Sequence, residues 1–289
     1  MKTKPFLVHA MSPLHAGTGQ AADIIDLPTA RMKATGIPFV PGSSIRGVLR
    51  DARATNGSDK DKLLAVFGPE RENAADHAGA LVVGDARLLA LPVRSFRGTF
   101  AWATSPLLLL LARRDLGAKF AVPGIEGRGA RVAPGSVCIH ETRLYLEDLD
   151  LPAEVSDELS PWTEILAPLV SPGEDIFTKR CALVDDDTMA FLWETATQID
   201  ARVRLDEGTR TVAPGALWLE ESLPPETLLI GLMAADRSRR QSVEMTPEDV
   251  LEFALPVEET VQLGGKATTG RGRCRLVPIV REGAAYEQP

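Results

Sequence analysis

The side chains able to do chemistry fall into three stretches. Ser43, Ser44, Arg46 and Arg50 sit in GIPFVPGSSIRGVLR, residues 36–50. Two hydroxyls at a helix start, with its free N–H groups, suit an anion such as phosphate, and the guanidiniums come a turn apart. The same spacing also describes a capped amphipathic helix with a solvated basic face. A second stretch, GGKATTGRGRCR, carries Lys266, Arg271, Arg273 and Arg275. Glycines let another backbone come close and guanidiniums grip phosphates bidentately, although a plain hairpin turn with surface arginines fits equally. The third stretch is the N-terminal loop region. It holds His15 in SPLHAGTGQ, then Asp23, Asp26 in IIDLP, and Arg31. His15 beside glycines suits a structural or a contact role. Asp26 is the leading acid of this loop, with Asp23 as its rival.

These residues need elements to hold them. PFLVHAM alternates and predicts a first strand at about 5–11. Residues 21–42 have no period and read as a long loop, of the kind that is functional or disordered. Ile45, Val48, Leu49 and Ala52 recur at i, i+3, i+4 and i+7, a helix stripe, with Ser43 or Ser44 as N-cap and Arg46, Arg50 and Arg53 on another face. Further helices are expected at 63–68 as a short turn, 105–117, 185–198 and 246–255. Strands are expected at 80–89, with Asp85 at the far end, and at 137–147 and 227–235, with a final pair flanking the glycine loop. Residues 201–221 carry a hairpin signal around DEGT. Strands and helices mix without βαβ alternation, so the fold class is α+β with a largely antiparallel sheet.

The chain has 289 residues, a net charge of −8, 44% hydrophobic and 25% charged residues. Those proportions are ordinary for a globular protein, and no apolar run approaches the roughly 20 residues a membrane helix needs. Cys138, Cys181 and Cys274 lie far apart without a CxxC pair, which points to a reducing, cytoplasmic setting. His9, His15, His77 and His140 show no metal spacing. GGKATTGRG lacks the Lys-Ser/Thr of a phosphate-binding Walker loop, and no GxGxxG comes after a strand, so ATP and NAD are not expected. Charge is polarised. Residues 26–53 carry Arg31, Lys33, Arg46, Arg50 and Arg53 against Asp26 and Asp51, residues 262–281 carry five cations including Arg281 and no acid, and EDLD and VDDD lie between.

Several stretches together resemble one family. LHAGTG, IIDLPTAR and GIPFVPGSSIRGVLR resemble the N-terminal signature of the RAMP superfamily of CRISPR effector subunits, and VQLGGKATTGRGRCRL resembles its glycine-rich loop. GDARLLALPVRSFRGTFAWATSPLLL and GALWLEESLPPETLL resemble the backbone subunit of Cmr-type (type III-B) complexes. The resemblance implies a single RAMP domain over 1–289. It would be an RRM-like (ferredoxin-like) palm with inserted helical segments and a protruding β-hairpin thumb near 198–222. It implies a groove for guide RNA formed by His15, Arg31, Ser43, Ser44, Arg46, Arg50, Lys266, Arg271 and Arg273. Arg46 stands where the motif usually has lysine. It implies an endoribonuclease that cuts complementary target RNA beside each base pair displaced by a thumb, with Asp26 as catalytic acid and ligand of a divalent metal, Mg2+ or Mn2+. The implied reaction is 2′-hydroxyl attack on the adjacent phosphate. Implied partners are guide RNA, target RNA, further copies of the chain and other effector subunits, with no membrane. A non-catalytic RNA-binding scaffold and the equivalent subunit of a Csm-type complex are the alternatives.

Overall fold

In the computed structural model, residues 1–17, 25–70, 76–206 and 208–280 are described; Asp23 and Arg281 lie outside them. The chain opens with strand β1 (Lys2–Ala10), then β2 (Phe39–Val40), helices α1 (Gly42–Thr55) and α2 (Lys60–Phe67), and strands β3 (Leu81–Val83) and β4 (Ala86–Arg94). Next come β5 (Phe100–Thr104), α3 (Pro106–Leu116), β6 (Ala130–Val132), β7 (Ile139–His140), β8 (Arg143–Leu146) and β9 (Leu149–Val155). Helices α4 (Ser160–Val170) and α5 (Ile176–Arg180), strand β10 (Cys181–Val184) and α6 (Asp186–Thr195) come after them. The chain continues through β11 (Gln198–Leu205), β12 (Val212–Ser222), β13 (Leu228–Ala235), α7 (Pro247–Ala254), β14 (Glu259–Gln262) and β15 (Arg273–Pro278).

The main sheet runs β14-β15-β1-β13-β4-β5-β10-β6-β9-β8-β7, with β2 beside β4 and β3 beside β13. Its central run β15-β1-β13-β4, antiparallel throughout, is the strand order of a ferredoxin-like βαββαβ palm whose helices are α1 and α7. Everything from β5 to β12 is inserted between the second and third palm strands. Parallel pairing is confined, among the ladders between strands, to β5 with β10 and β6 with β9.

Strand alternation builds two layers. Phe6, Val8 and Ala10 pack under Ile45, Leu49, Val250 and Leu251 on the face of α1 and α7. Leu7, Leu228, Ile230 and Val277 point the other way, against Leu109, Trp162 and Leu166 of α3 and α4. Each large side chain buried so contributes about 1.5–3 kcal/mol. The open sheet face of an RRM, where aromatic residues stack bases, is therefore closed here by the insertion. A functional surface must lie on the loops at the strand ends instead. The third cluster, around Leu91, Val93, Ala182 and Leu144, extends the sheet away from the palm under α6.

Local rules decide several details. Helix α3 begins at Ser105, whose hydroxyl accepts from Leu108 N, has Pro106 at its first turn and ends at Gly117 in the left-handed region. Thr246 and Asp249 form the expected capping box of α7. The expected strand 80–89 is two strands broken at Gly84–Asp85, and 137–147 is a two-residue strand and a hairpin partner turning at Glu141, whose φ is 54°. Apolar runs conceal such breaks, because alternation continues across a tight turn. The expected serine cap of α1 is also corrected. Pro41 is its N-cap, without a side-chain bond, and the Gly42 amide donates to Asp85 Oδ1 at 2.8 Å. A carboxylate of the protein thus occupies the first amide of the helix that an external anion would otherwise seek. Arg53 departs from the basic face as well: it is 8% exposed and its guanidinium pairs with Glu259.

Gly42 is required by close approach, since a Cβ there would lie 2.2 Å from Val83 O. Gly42→Ala should lower stability by about 1–3 kcal/mol through overpacking; urea unfolding measures it, and an unchanged midpoint would show that the helix start shifts freely.

Candidate functional site

Past the end of β1, residues 13–17 run between two other pieces of chain. Leu14 exchanges backbone hydrogen bonds with Leu223, both 2.9 Å, just beyond β12. On the other side Gly272 N donates to Pro13 O at 2.8 Å and Gly265 N to His15 O at 3.2 Å. The glycine loop therefore serves first to dock on this segment. Gly272 has φ +75°, and a Cβ on it would lie 1.9 Å from Leu263 O; no other residue fits that turn.

The hairpin β11–β12 forms a separate two-stranded sheet. Its free side near the base pairs with the N-terminal loop. Leu27 N donates to Leu219 O at 3.1 Å and Glu221 N to Leu27 O at 2.9 Å. Asp26 completes this ladder with its side chain: Leu219 N donates to Asp26 Oδ2 at 2.8 Å. Asp26 is exposed, and its Oδ1 has no hydrogen-bond partner among the described residues. A short acidic side chain can replace a backbone carbonyl in this way and still present its second oxygen to solvent.

Two consecutive glutamates at the end of β12 hold the surroundings. Glu221, 2% exposed, accepts from Thr29 N at 2.9 Å, Thr29 Oγ1 at 3.0 Å and Arg31 Nη2 at 2.6 Å. Burial by itself would raise its pKa; the Thr29 amide and the Arg31 charge outweigh that and keep the carboxyl below its ordinary value. Glu220, 1% exposed, pairs with Arg271 Nη1 at 2.9 Å and Lys266 Nζ at 3.7 Å. Arg271 also donates to Ser222 and to Asp200 of β11. One glutamate thus ties the hairpin to the N-terminal loop, the other to the glycine loop.

The expected groove residues divide accordingly. Arg271 is 4% exposed and fully engaged with acids, so the expectation of a cation offered to RNA is corrected: the guanidinium braces the hairpin. Arg31 is likewise engaged, by Glu221, Glu194 and Trp193 O. His15 is 7% exposed, and its Nδ1 lies 2.7 Å from Glu221 O. Because that carbonyl can only accept, Nδ1 carries the proton. The Nε2 edge lies against Gly17, so His15 is a strut rather than a contact surface. Arg46 is half-buried and donates to Phe67 O; burial, then Arg50, push its pKa down. Ser43 and Ser44 are exposed. Arg50 and the exposed Arg273 have no side-chain partner among the described residues, and Lys266 keeps one face open to solvent. Those three cations and the two serines remain available.

For a metal, the described residues contain no group of three or more His, Cys, Asp or Glu arranged to hold one. Asp26 offers one oxygen, and Asp200, Glu220 and Glu221 are committed to arginines. Sequence reasoning misses Asp200, Glu220, Glu221 and Trp218, and gives Asp85 no role beyond its place at a strand end. The available signal is the acid pair inside ALWLEESL: adjacent strand residues face opposite sides, so two buried acids need cations from two directions.

The family model for the RAMP superfamily matches residues 8–275. The CRISPR system Cmr endoribonuclease Cmr4 of Pyrococcus furiosus is 32% identical, with 98% of this chain and 99% of that protein aligned. The crystal structure of oligomeric Cmr4 from Pyrococcus furiosus superimposes with a TM-score of 0.73 at 25% identity, covering 96% of this chain and 98% of the other. A chain of the type III-B Cmr-beta complex bound to cognate target RNA, seen by cryo-electron microscopy, shares the fold with a TM-score of 0.76 at 20% identity, covering 96% and 98%. No helix among the described residues is long and apolar enough to cross a membrane.

Glu221→Gln should cost about 1–3 kcal/mol at neutral pH, where it strips a charged partner from Arg31. A carboxyl with a depressed folded pKa stabilises fully above its unfolded value, about 4.3, and loses that contribution as pH falls through the lower folded value. The deficit of the variant should therefore shrink below about pH 4. Urea unfolding from neutral to acid pH checks this; a deficit independent of pH would show that the charge is not what matters.

Proposed function

The chain belongs to the RAMP superfamily, and from that premise we propose that it is a repeated backbone subunit of a type III-B CRISPR effector, binding guide RNA and cutting complementary single-stranded target RNA at regular intervals. The observation that carries the reading is Asp26: an exposed carboxylate in the family's loop, fixed by one oxygen to the base of a protruding hairpin. The hairpin 198–222 is the thumb. It displaces a base pair at each step and leaves the adjacent nucleotide unstacked beside Asp26.

Its tip is suited to that. Val203, Leu205, Val212 and Leu217 are exposed by 47% to 64%, an apolar surface that a solvated hairpin does not need and that can wedge between stacked bases. An unstacked nucleotide can bring its 2′-oxygen in line with the phosphorus, which a helical duplex forbids. The 2′-oxygen then bonds phosphorus, the bond from phosphorus to the 5′-oxygen breaks, and the proton lost from the 2′-hydroxyl is balanced by one gained at the 5′-oxygen. The products are a 2′,3′-cyclic phosphate and a 5′-hydroxyl. Asp26 is the catalytic carboxylate, and the Leu219 amide fixes its orientation. A divalent cation, Mg2+ or Mn2+, would take Asp26 together with phosphate oxygens and water, as magnesium sites with one carboxylate do, and would supply charge neutralisation. The described residues offer no closed cage, so the RNA must complete such a site.

Guide phosphates run along Arg50, Lys266 and Arg273, with Ser43 and Ser44 at the helix start. His15, Arg31 and Arg271 act behind this surface and hold its parts in register. Further copies extend the groove, and exposed acids such as Asp186 and Asp187 can meet basic patches of neighbouring subunits, which reconciles a net charge of −8 with RNA binding.

Asp26→Ala in a complex assembled on guide RNA should abolish a regular ladder of target fragments on a denaturing gel while leaving target bound, and EDTA should do the same to the wild type. Intact target on a fully assembled wild-type complex would leave a scaffold without catalysis. Separately, Arg50→Ala with Arg273→Ala should weaken guide binding and flatten its salt dependence by about 0.7 for each phosphate no longer neutralised. An unchanged slope in a filter-binding series would place the phosphates elsewhere.

A further inference from the structure

The chain has four tryptophans. Trp102, Trp162 and Trp193 are buried to 1%, 1% and 4% exposure. The first two donate their indole N–H groups, to Glu226 O at 2.8 Å and Ala121 O at 3.1 Å. These are core residues with satisfied donors. Trp218, on β12, differs in each respect. It is half-buried, and its N–H has no acceptor among the described residues. Lys266 Nζ lies 5.9 Å from the centre of its ring. Arg202 stands opposite it across the hairpin, and directly opposed residues share a face. The ring thus has a lysine of the glycine loop over one face and an arginine of β11 as its cross-strand neighbour. The next residue, Leu219, gives its amide to Asp26.

We propose that Trp218 is a stacking platform for one unstacked base of bound RNA, with Lys266 and Arg202 gripping the phosphates that flank that base. This rests on the RNA-binding reading above and adds the contact that receives the base. Stacking on a ring needs no particular base, because every base has a π-face, and the flanking cations supply the sequence-independent remainder. Such a contact serves a subunit that must accept RNA of any sequence. The placement is also useful for the reaction. A base held on Trp218 keeps its own sugar and phosphate close to the strand edge where Asp26 is fixed.

The buried state of the other three tryptophans makes the test direct. The full chain is titrated at low salt with single-stranded oligoadenylate, labelled with fluorescein for anisotropy and unlabelled for indole emission. Wild type should show quenching that saturates together with the anisotropy. Trp218→Leu should bind about tenfold more weakly and show no quenching, while emission from the remaining tryptophans reports an intact fold. Trp218→Phe, which keeps a ring, should bind nearly as wild type does without the quench; it replaces the leucine variant if that one fails to fold. Equal affinity in both variants with no quenching in wild type would overturn the platform while leaving RNA binding intact. Absence of any anisotropy change in wild type would overturn the RNA-binding reading itself, and the platform with it.

Discussion

Two carboxylates taken out of water govern this molecule's working end. Glu220 and Glu221 lie at the base of β12, nearly inaccessible to solvent, and each requires a cation because an unpaired buried charge costs several kcal/mol. Strand geometry sends them to opposite sides. Arg31 therefore comes in from the N-terminal loop and Arg271 from the glycine loop near the other end of the chain. Neither pair is a simple gain in stability, since desolvation offsets most of the attraction. Their effect is positional. Three segments far apart in sequence are held in one arrangement, and the carboxylate of Asp26 is set by a backbone amide within it.

This explains why the cations that look suited to phosphate in sequence are not equivalent. Arg271 and Arg31 are taken up by internal acids, Arg46 by a backbone carbonyl, and only Arg50, Lys266 and Arg273 still face outward with donors left over. Residue type and spacing cannot distinguish these groups, because the acids that claim the inner arginines come from β11 and β12. The hairpin itself was legible from alternation around DEGT. What its base would bury was not.

The remainder of the fold obeys the same division. Locally coded features are where the sequence puts them: the Ser105, Pro106 and Gly117 punctuation of α3, the Thr246 capping box, the continuous apolar run of β13. Features that depend on contacts across the chain escape it. Examples are the capping of α1 by Asp85 in place of Ser43 or Ser44, and the break between β3 and β4. Helix α4 and strand β9 do carry a local period, with Trp162, Leu166 and Val170 four apart and LDLPAEV alternating, but Pro168 and Pro152 within them disguise it. The strand order of the palm is likewise invisible to local pattern, because the partners of β1 are β13 and β15, more than 200 residues further along the chain.

That strand order has a consequence for how the protein is made. Lys2 faces Ala235 across one side of β1, and Phe6 faces Pro278 across the other. As the chain emerges from the ribosome, its first strand has no ladder partner until almost everything else has been synthesised. The inserted region, whose hairpins β8–β9 and β11–β12 are sequential, can organise earlier. Closing the palm is then a late, long-range event of the kind that folds slowly. The waiting strand, with Phe6, Leu7 and Val8 uncovered, is the segment most in need of protection from aggregation during translation.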